Sequence, residues 1–245
     1  MIGHRGVAAE APENTIASLD LAMRLGADAL ELDVRRTRDG ELVLIHDPTL
    51  DRTTDRSGAV AGLPASEVRA ARAGPGPGEC VPTLRDALSR FPGVDITVDV
   101  KDPEAAEDVV RLLGELDRVE STILYVEDGT EQRAFREYTG RRATSTRQAV
   151  RLALQRGLSR ARSGRRVEVV HTPLRRWGLP IVTEAFVARM REQGRSVQVW
   201  TVDEPAEMAR LASWGVDGII TNDVRTAVRV LGGGGPEATP PRGER

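Results

Sequence analysis

The sequence predicts an α/β fold, a TIM (β/α)8 barrel with a β-hairpin and an inserted loop after its second strand. Short apolar runs typical of buried strands alternate with segments whose apolar spacing is typical of amphipathic helices, which is the pattern of parallel strands closed into a barrel. The length of 245 residues and the hydrophobic content of 40% suit one such barrel. One further strand-like run breaks the alternation and indicates the hairpin.

Eight segments are predicted to form the barrel strands, with helices such as 103–116 and 183–193 between them. The strand segments are 1–4, 29–34, 95–101, 122–126, 142–145, 167–171, 197–202 and 218–221. We expect residues 1–231 to form a single domain with an insertion at about 48–82. Loops of that length are usually functional. Residues 232–245, rich in glycine and proline, are expected to be a disordered tail.

The run 41–46 is predicted to return antiparallel to the second strand. Only six residues separate it from that strand, too few for a parallel crossover, and Asp39-Gly40 is a strong hairpin-turn dipeptide. Such a hairpin would bring His46 back beside Glu31 and Asp33.

Composition and charge narrow the function classes. A net charge of -2 and a pI of about 6.0 give no global basic field, so nucleic acid is not an expected partner. The arginine-rich run 160–166 is expected to be a solvated surface. Cys80 is the sole cysteine, which excludes an internal disulfide and a thiolate metal cluster, and we expect its side chain to pack in the interior.

The chain opens with MIGHRG rather than with a basic and then apolar leader. No apolar stretch approaches the ~18 residues that a membrane span needs. We therefore expect no stable membrane insertion and a cytoplasmic location, whereas the oligomeric state is not specified by the sequence.

Glu31 and Asp33 are expected to share one face of a buried strand. Residues two apart in a strand project to the same side, and the neighbouring Leu30, Leu32 and Val34 are apolar. Two unneutralised carboxylates in a barrel interior are energetically unfavourable. For this segment alone two interpretations stay open: ion pairs with arginines, or a divalent cation held by carboxylate oxygens.

A third acid favours the cation. By the same alternation Thr97, Asp99 and Lys101 share one face of their strand, which directs another carboxylate and an ammonium inward. Carboxylate oxygens suit Mg²⁺ or Ca²⁺ better than zinc, which prefers nitrogen and sulfur donors. The sequence therefore predicts one divalent cation, Mg²⁺ or Ca²⁺, bound by Glu31, Asp33 and Asp99.

The three histidines, His4, His46 and His171, are predicted at strand ends on the C-terminal face, where barrel active sites are built. Imidazole is well suited to move protons near neutral pH. A cation with Arg5 and Lys101 would stabilise charge on non-bridging oxygens, while one histidine deprotonates a nucleophile and another protonates a leaving alcohol. This combination is typical of a site for a phosphodiester.

Short motifs along the chain form an ordered set. They are His4-Arg5-Gly6, Pro12-Glu13-Asn14-Thr15, Glu31-Leu32-Asp33-Val34, Asp39-Gly40, His46-Asp47, Asp51-Arg52-Thr53-Thr54, Pro82-Thr83-Leu84, Trp200-Thr201-Val202-Asp203 and Gly215-Val216-Asp217-Gly218-Ile219-Ile220-Thr221. The set resembles the glycerophosphodiester phosphodiesterase family over nearly the whole chain. The resemblance implies a TIM barrel that hydrolyses small-molecule glycerophosphodiesters to sn-glycerol 3-phosphate and an alcohol. It also implies a divalent ion at Glu31, Asp33 and Asp99, with His4 and His46 as the acid/base pair.

The chain departs from that family's pattern in two places. Asp99-Val100-Lys101 stands where the family usually has Glu-Ile-Lys; the related sphingomyelinase D enzymes are similar in using aspartate there. Tyr125-Val126-Glu127-Asp128 stands where Ser-Phe is common, so we expect a different far wall of the pocket, and substrate choice is what the resemblance specifies least. Glu127 and Asp128 are predicted to begin the following helix, where acids suit the helix dipole.

Four residues are predicted to bind substrate: Arg5, Lys101, Trp200 and Asn14. For Trp200 the alternatives are packing on the glycerol or head group, and packing in the core. For Asn14 they are a hydrogen bond across the top of the first strand, and capping of the first helix by Asn14 or Thr15.

Two other functions compete with glycerophosphodiester hydrolysis. A lysophospholipase D or sphingomyelinase-D-like lipid phosphodiesterase would share the ligands and both histidines, but the insertion has no aromatic residue, which disfavours binding of an acyl chain. A non-catalytic phosphate-binding barrel is expected to have lost a ligand or a histidine, and none is lost.

Overall fold

The computed structural model describes residues 1–74, 78–127, 133–154 and 169–232. Its strands confirm the predicted barrel, and most of their ends lie within two residues of the predicted ones. In chain order the strands are β1 (Ile2–His4), β2 (Ala29–Arg36), β3 (Leu42–Leu44), β4 (Arg72–Ala73), β5 (Glu79–Cys80), β6 (Asp95–Val100), β7 (Thr122–Tyr125), β8 (Arg141–Arg142), β9 (Val169–Pro173), β10 (Arg175–Arg176), β11 (Leu179–Pro180), β12 (Ser196–Trp200) and β13 (Gly218–Thr221).

Eight parallel strands form the barrel wall. Neighbouring strands pair in the order β8-β7-β6-β2-β1-β13-β12-β9. The last gap, between β8 and β9, is bridged where Ala143 pairs in parallel with Val169 and the Thr144 amide donates to the Val169 carbonyl at 2.9 Å. The first two residues of the predicted strand 167–171 lie outside the described residues, and the observed strand extends to Pro173.

Helices connect these strands and surround the barrel. They are α1 (Ile16–Leu25), α2 (Ala65–Arg69), α3 (Leu84–Arg90), α4 (Ala106–Glu115), α5 (Arg133–Glu137), α6 (Thr146–Leu154), α7 (Glu184–Glu192), α8 (Pro205–Ser213) and α9 (Val224–Leu231). Thr15 caps α1 by accepting a hydrogen bond from the Ser18 amide, so the cap is Thr15 rather than Asn14. Among the described residues, no helix is both long and apolar enough to cross a membrane.

Alternation along β2 explains how the barrel buries both apolar and charged side chains. Leu30, Leu32 and Val34 are completely buried in the apolar layer between the strands and the helices. Glu31 and Asp33 therefore project to the other side, into the barrel. Truncating a side chain such as Leu32 to alanine would lower the free energy of unfolding by about 2–5 kcal/mol. This packing holds β2 in place, and with it the inward acids.

The predicted hairpin is confirmed: β3 pairs antiparallel with β2, with Val34 opposite Leu44. Gly40 supplies the positive φ of 94° in the connecting turn. The insertion that follows contains α2, the β4–β5 ribbon and a small apolar cluster of its own. Cys80, at the end of β5, is exposed, so the expectation that it packs in the interior was wrong. A short edge ribbon leaves this side chain without a core to enter.

Candidate active site

A pocket of about 510 Å³ opens at the C-terminal ends of the barrel strands. His4 and Trp200 are the last residues of β1 and β12, and Lys101 directly follows β6. The lining includes most of the residues predicted from the sequence: His4, Arg5, Glu31, Asp33, His46, Asp99, Lys101, His171 and Trp200. The run 160–166 and Asp128 lie outside the described residues.

Three buried carboxylates form the floor of this pocket. Asp33 on β2 lies directly opposite Asp99 on β6 in the strand pairing, and Glu31 lies two residues before Asp33. Their exposed fractions are only 3% for Glu31, 1% for Asp33 and 7% for Asp99. One carboxylate oxygen from each lies within 4.8 Å of the other two, so a single cation is able to contact all three.

The electrostatics of this cluster favour a bound dication. Burial, together with the charges of Asp33 and Asp99, raises the pKa of Glu31 well above its ordinary value. Burial raises the pKa of Asp99 to about 7. Asp99 Oδ1 is buried and has no hydrogen-bond partner among the described residues. An unpartnered oxygen beside crowded acids fits a hard divalent ion.

Lys101 and Arg5 partly neutralise the cluster. Lys101 Nζ lies 2.8 Å from Asp33 Oδ1 and 2.5 Å from Asp99 Oδ2. Arg5 Nε lies 2.7 Å from Asp33 Oδ2, and its Nη1 donates to Glu13 Oε1 at 2.9 Å. Burial alone would raise the pKa of Asp33, but Lys101 and Arg5 outweigh burial and lower it. Asp33 is therefore the acid that stays ionised without an added cation.

Asn14 holds Asp33 from the protein side. Its Nδ2 donates to Asp33 Oδ2 at 2.9 Å, and its Oδ1 accepts from the Asp33 amide at 3.2 Å. Asn14 is 2% exposed and adopts a left-handed conformation with φ of 58°, which asparagine tolerates better than most residues. Because both ends of its amide contact Asp33, the geometry favours a positioning role over direct contact with substrate.

His4 is oriented by two residues from the last two strands and their loops. Asn222 Oδ1 lies 2.7 Å from His4 Nδ1, and Asn222 Nδ2 donates to Asp203 Oδ2 at 2.8 Å. Because the amide nitrogen of Asn222 faces a carboxylate, its oxygen faces His4 and must accept from Nδ1. His4 Nε2 is left without a proton, 3.9 Å from Glu31 Oε2. Burial and Arg5 lower the pKa of His4, which keeps the ring neutral at neutral pH.

His46 is oriented by a different partner, a carboxylate. Its Nδ1 lies 2.7 Å from Asp47 Oδ1. Arg52 contacts Asp47 through Nε at 2.5 Å and contacts both oxygens of Glu13. The hydrogen bonds from Arg52 hold the pKa of Asp47 far below its usual range, so this carboxylate stays ionised. The partner at Nδ1 is thus an ionised carboxylate for His46 and a neutral amide for His4.

The far wall of the pocket carries side chains that the family pattern does not predict. Glu127 accepts hydrogen bonds from the hydroxyl of Tyr125 and from the amide and hydroxyl of Thr146, the latter two at 3.0 and 2.9 Å. The Glu127 carboxylate therefore contacts the first residue of α6. The expectation that Glu127 begins the helix after β7 was wrong. His171 is buried between Tyr125 and Trp200, with ring centroids 4.5 and 5.7 Å away, and burial lowers its pKa to about 3.

The comparison with known protein families agrees with this geometry. Residues 4–226 match the Glycerophosphoryl diester phosphodiesterase family. The chain belongs to this family. The match covers all eight barrel strands in part or in full, and with them the three carboxylates and both histidines of the pocket.

Individual members of the family are similar to this chain along most of their length. The probable glycerophosphodiester phosphodiesterase 2 of Mycobacterium tuberculosis is 36% identical over 229 residues, which are 90% of this chain and 86% of that protein. The glycerophosphodiester phosphodiesterase of Caldanaerobacter subterraneus subsp. tengcongensis is 32% identical over 255 residues, covering 96% of this chain and 98% of that protein. The crystal structure of glycerophosphodiester phosphodiesterase from Agrobacterium tumefaciens superposes with a TM-score of 0.76 and 29% identity, covering 94% and 98% of the two chains.

Two residues with a defined place beside the pocket were missed from the sequence, Asn222 and Asp203. Asp203 ends one of the recognised family motifs, and Asn222 directly follows another. A polar residue immediately after a barrel strand was the available signal, because such positions meet on the C-terminal face. The contact with His4 was not visible, since it joins residues 218 positions apart.

Proposed function

We propose that the protein hydrolyses glycerophosphodiesters to sn-glycerol 3-phosphate and an alcohol, with one divalent cation and histidine general acid/base catalysis. The observation that carries the proposal is the buried group of Glu31, Asp33 and Asp99 beneath two histidines, in a chain of this family. The substrate is a small molecule, and a cytoplasmic location stays a prediction.

The three carboxylates are the residues that would hold the cation. When bound, an Mg²⁺ or Ca²⁺ ion would supply Lewis-acid stabilisation of charge on the phosphoryl oxygens. Carboxylate oxygens suit either ion, and the donor set alone does not select between them. Arg5 and Lys101 line the same pocket, and we assign them to the non-bridging oxygens of the phosphodiester.

The different partners of the two histidines suggest different roles. His4, neutral and with a free Nε2, is assigned to remove the proton from the nucleophile, which is water or the glycerol 2-hydroxyl. His46, paired with ionised Asp47, is assigned to donate a proton to the departing alcohol oxygen. The P–O bond to the alcohol breaks as the bond from the nucleophile forms, so His4 ends protonated and His46 neutral. Attack by water gives sn-glycerol 3-phosphate directly. Attack by the glycerol 2-hydroxyl gives a cyclic phosphate, which water then opens to the same product with the two proton transfers reversed. Trp200, at the pocket wall, is assigned to pack on the glycerol.

A substrate panel tests the proposal. The protein is incubated with glycerophosphocholine, glycerophosphoethanolamine, glycerophosphoglycerol or lysophosphatidylcholine under Mg²⁺, Ca²⁺ or chelator, and sn-glycerol 3-phosphate is measured enzymatically. Cation-dependent release from the soluble diesters is the expected result. Release of lysophosphatidic acid as the main product would assign a lysophospholipase D activity instead. Cation binding without cleavage of any substrate would favour a non-catalytic barrel.

Replacing Lys101 by arginine should abolish most activity although it keeps the charge. Lys101 is the sole lysine of the chain, beside 34 arginines. Its compact ammonium fits between Asp33 and Asp99, at 2.8 and 2.5 Å, where a planar guanidinium would displace a carboxylate from the cation. The measurement is kcat together with the circular dichroism spectrum. Turnover near that of the parent protein with unchanged cation affinity would show that charge alone suffices.

Replacing Asn222 by alanine should lower kcat about 10–100-fold with little change in KM, because His4 loses the acceptor that fixes its tautomer. Histidine ¹⁵N NMR provides the second readout, and the chain has only three histidines to assign. His4 Nδ1 should be protonated in the parent protein, and the two tautomers should mix in the variant. An unchanged His4 spectrum in Asn222→Ala would contradict the positioning role.

Cation affinity should weaken as the pH falls. The pKa of Glu31 is raised and that of Asp99 is raised to about 7, so below those values both hold protons that the cation must displace. Each displaced proton makes the apparent Kd rise about tenfold per pH unit. Calorimetric titration with Mg²⁺ in two buffers of different protonation enthalpy counts the protons released. Affinity that is constant between about pH 5 and 8 would contradict the shifts.

A further inference from the structure

The short hairpin after β9 exposes apolar side chains at the rim of the pocket. It consists of β10 and β11, joined by Trp177 and Gly178, and all six of its residues are exposed. Trp177 is 79% exposed and Leu179 is 68% exposed. The neighbouring Arg176 lines the pocket itself, so the hairpin stands beside the site entrance. Its composition therefore bears on what approaches that entrance.

The turn of this hairpin is an unusual place for a tryptophan. Trp177 and Gly178 both have positive φ, 51° and 76°, as the two central residues of a type I′ turn do. Asn-Gly is the pair that this turn favours, and a bulky residue at positive φ is an outlier. Because Trp177 also packs against little of the protein, the hairpin does not need it for its own stability. An exposed indole at this place is available for a contact outside the chain.

The surrounding charges indicate the chemistry of that contact. The six residues are Arg-Arg-Trp-Gly-Leu-Pro, with two cations and no acid. The Arg176 guanidinium lies over the Trp177 ring, 5.1 Å from its centroid, so a positive charge accompanies the apolar tip. Tryptophan concentrates at the boundary between lipid head groups and acyl chains, and arginine is drawn to anionic head groups.

We propose that the β10–β11 hairpin docks reversibly on a lipid surface that carries anionic head groups. The indole and Leu179 enter the boundary between head groups and acyl chains, while Arg175 and Arg176 contact lipid phosphates. Docking turns the pocket entrance toward the membrane. This binding is separate from hydrolysis, so it is measured without turnover and does not depend on the function proposed above.

Vesicle co-sedimentation of the full chain tests this proposal. Vesicles of phosphatidylcholine are compared with vesicles of equal parts phosphatidylcholine and phosphatidylglycerol. The parent protein should bind the anionic vesicles more tightly, with a blue shift of tryptophan emission. Replacing Trp177 by asparagine removes the indole and installs the residue that the turn favours, so the hairpin should stay folded. The partition coefficient should fall about tenfold or more.

Matched variants separate docking by the hairpin from nonspecific adsorption to vesicles. Arg175→Gln should lower binding about fivefold on anionic vesicles and leave it unchanged on neutral ones. Leu154 is an equally exposed apolar residue, 75% exposed, at the end of α6, which runs away from the pocket face. Leu154→Ser should therefore bind vesicles as the parent protein does.

Three outcomes would overturn the proposal. The first is no binding of the parent protein to anionic vesicles, and the second is equal binding by the parent and Trp177→Asn. The third is a concentration-dependent dimer that Trp177→Asn abolishes, without vesicle binding, which would assign the hairpin to contact between two copies of the chain.

Discussion

Replacing Glu31 by glutamine should lower turnover about 10³-fold or more while the barrel stays folded. Glu31 is a ligand in the proposed cation site, and losing its charge removes several kcal/mol of transition-state stabilisation. Its pKa is raised by burial and by Asp33 and Asp99, so the neutral amide relieves repulsion in the cation-free protein. We therefore expect the cation-free variant to unfold at the same temperature as the parent protein or higher.

Turnover should fall while the unfolding temperature of the cation-free protein does not, and this combination distinguishes a cation ligand from a structural residue. A structural glutamate would lose stability and activity together, whereas a cation ligand loses affinity and activity while the cation-free protein gains stability. Glu41→Gln, the same chemical change at an exposed position, is the control and should behave as the parent protein. Asp99→Glu should retain more activity than Asp99→Ala, since it restores a carboxylate ligand. Full turnover of Glu31→Gln in excess chelator would contradict the proposed cation site.

Replacing His4 or His46 by alanine should lower kcat about 10²–10⁴-fold, the usual contribution of general acid–base catalysis. The two losses should not multiply in the double variant, because both groups serve one proton-transfer sequence. His171→Gln is the control inside the same pocket. Its pKa is lowered to about 3 by burial, so this ring does not exchange protons at neutral pH.

A substrate with an acidic leaving group separates the two roles. Glycerophospho-p-nitrophenol needs no proton on the departing oxygen, so His46→Ala should recover most of its lost rate on this substrate. His4→Ala should stay slow, because the nucleophile still requires a base. Recovery by His4→Ala instead would exchange the two assignments, and recovery by both would argue against a base in the slow step.

The sequence predicted the parts of the site that depend on strand periodicity. Glu31, Asp33 and Asp99 alternate with apolar residues, and the pleat of a buried strand directs them to one side whatever their neighbours are. The return of His46 followed from Asp39-Gly40 and the short spacing, which together leave few alternatives to a hairpin.

Contacts between distant loops were not predictable in the same way. The hydrogen bond from His4 to Asn222 depends on the closure of the barrel, which brings β1 beside β13. Asn14 contacts Asp33 because its own backbone is left-handed, a conformation that no local pattern announces. Glu127 accepts a hydrogen bond from the Thr146 amide at the start of α6. Reasoning from the helix dipole considered only the helix that follows Glu127 in the chain, so it assigned Glu127 to the wrong helix.

Arg5 and Lys101 pair with the carboxylates at the floor of the pocket, and the net charge of these groups affects how strongly substrate and product bind. With Glu31, Asp33 and Asp99 ionised, these five groups together carry a single negative charge. A dication reverses it to a single positive charge, equal and opposite to that of a phosphodiester. A phosphomonoester carries about -1.5 to -2 at neutral pH, more negative charge than the substrate has. Because Coulomb attraction grows with the charge of the anion, the loaded site attracts its product more strongly than its substrate, and we expect the product to inhibit the reaction.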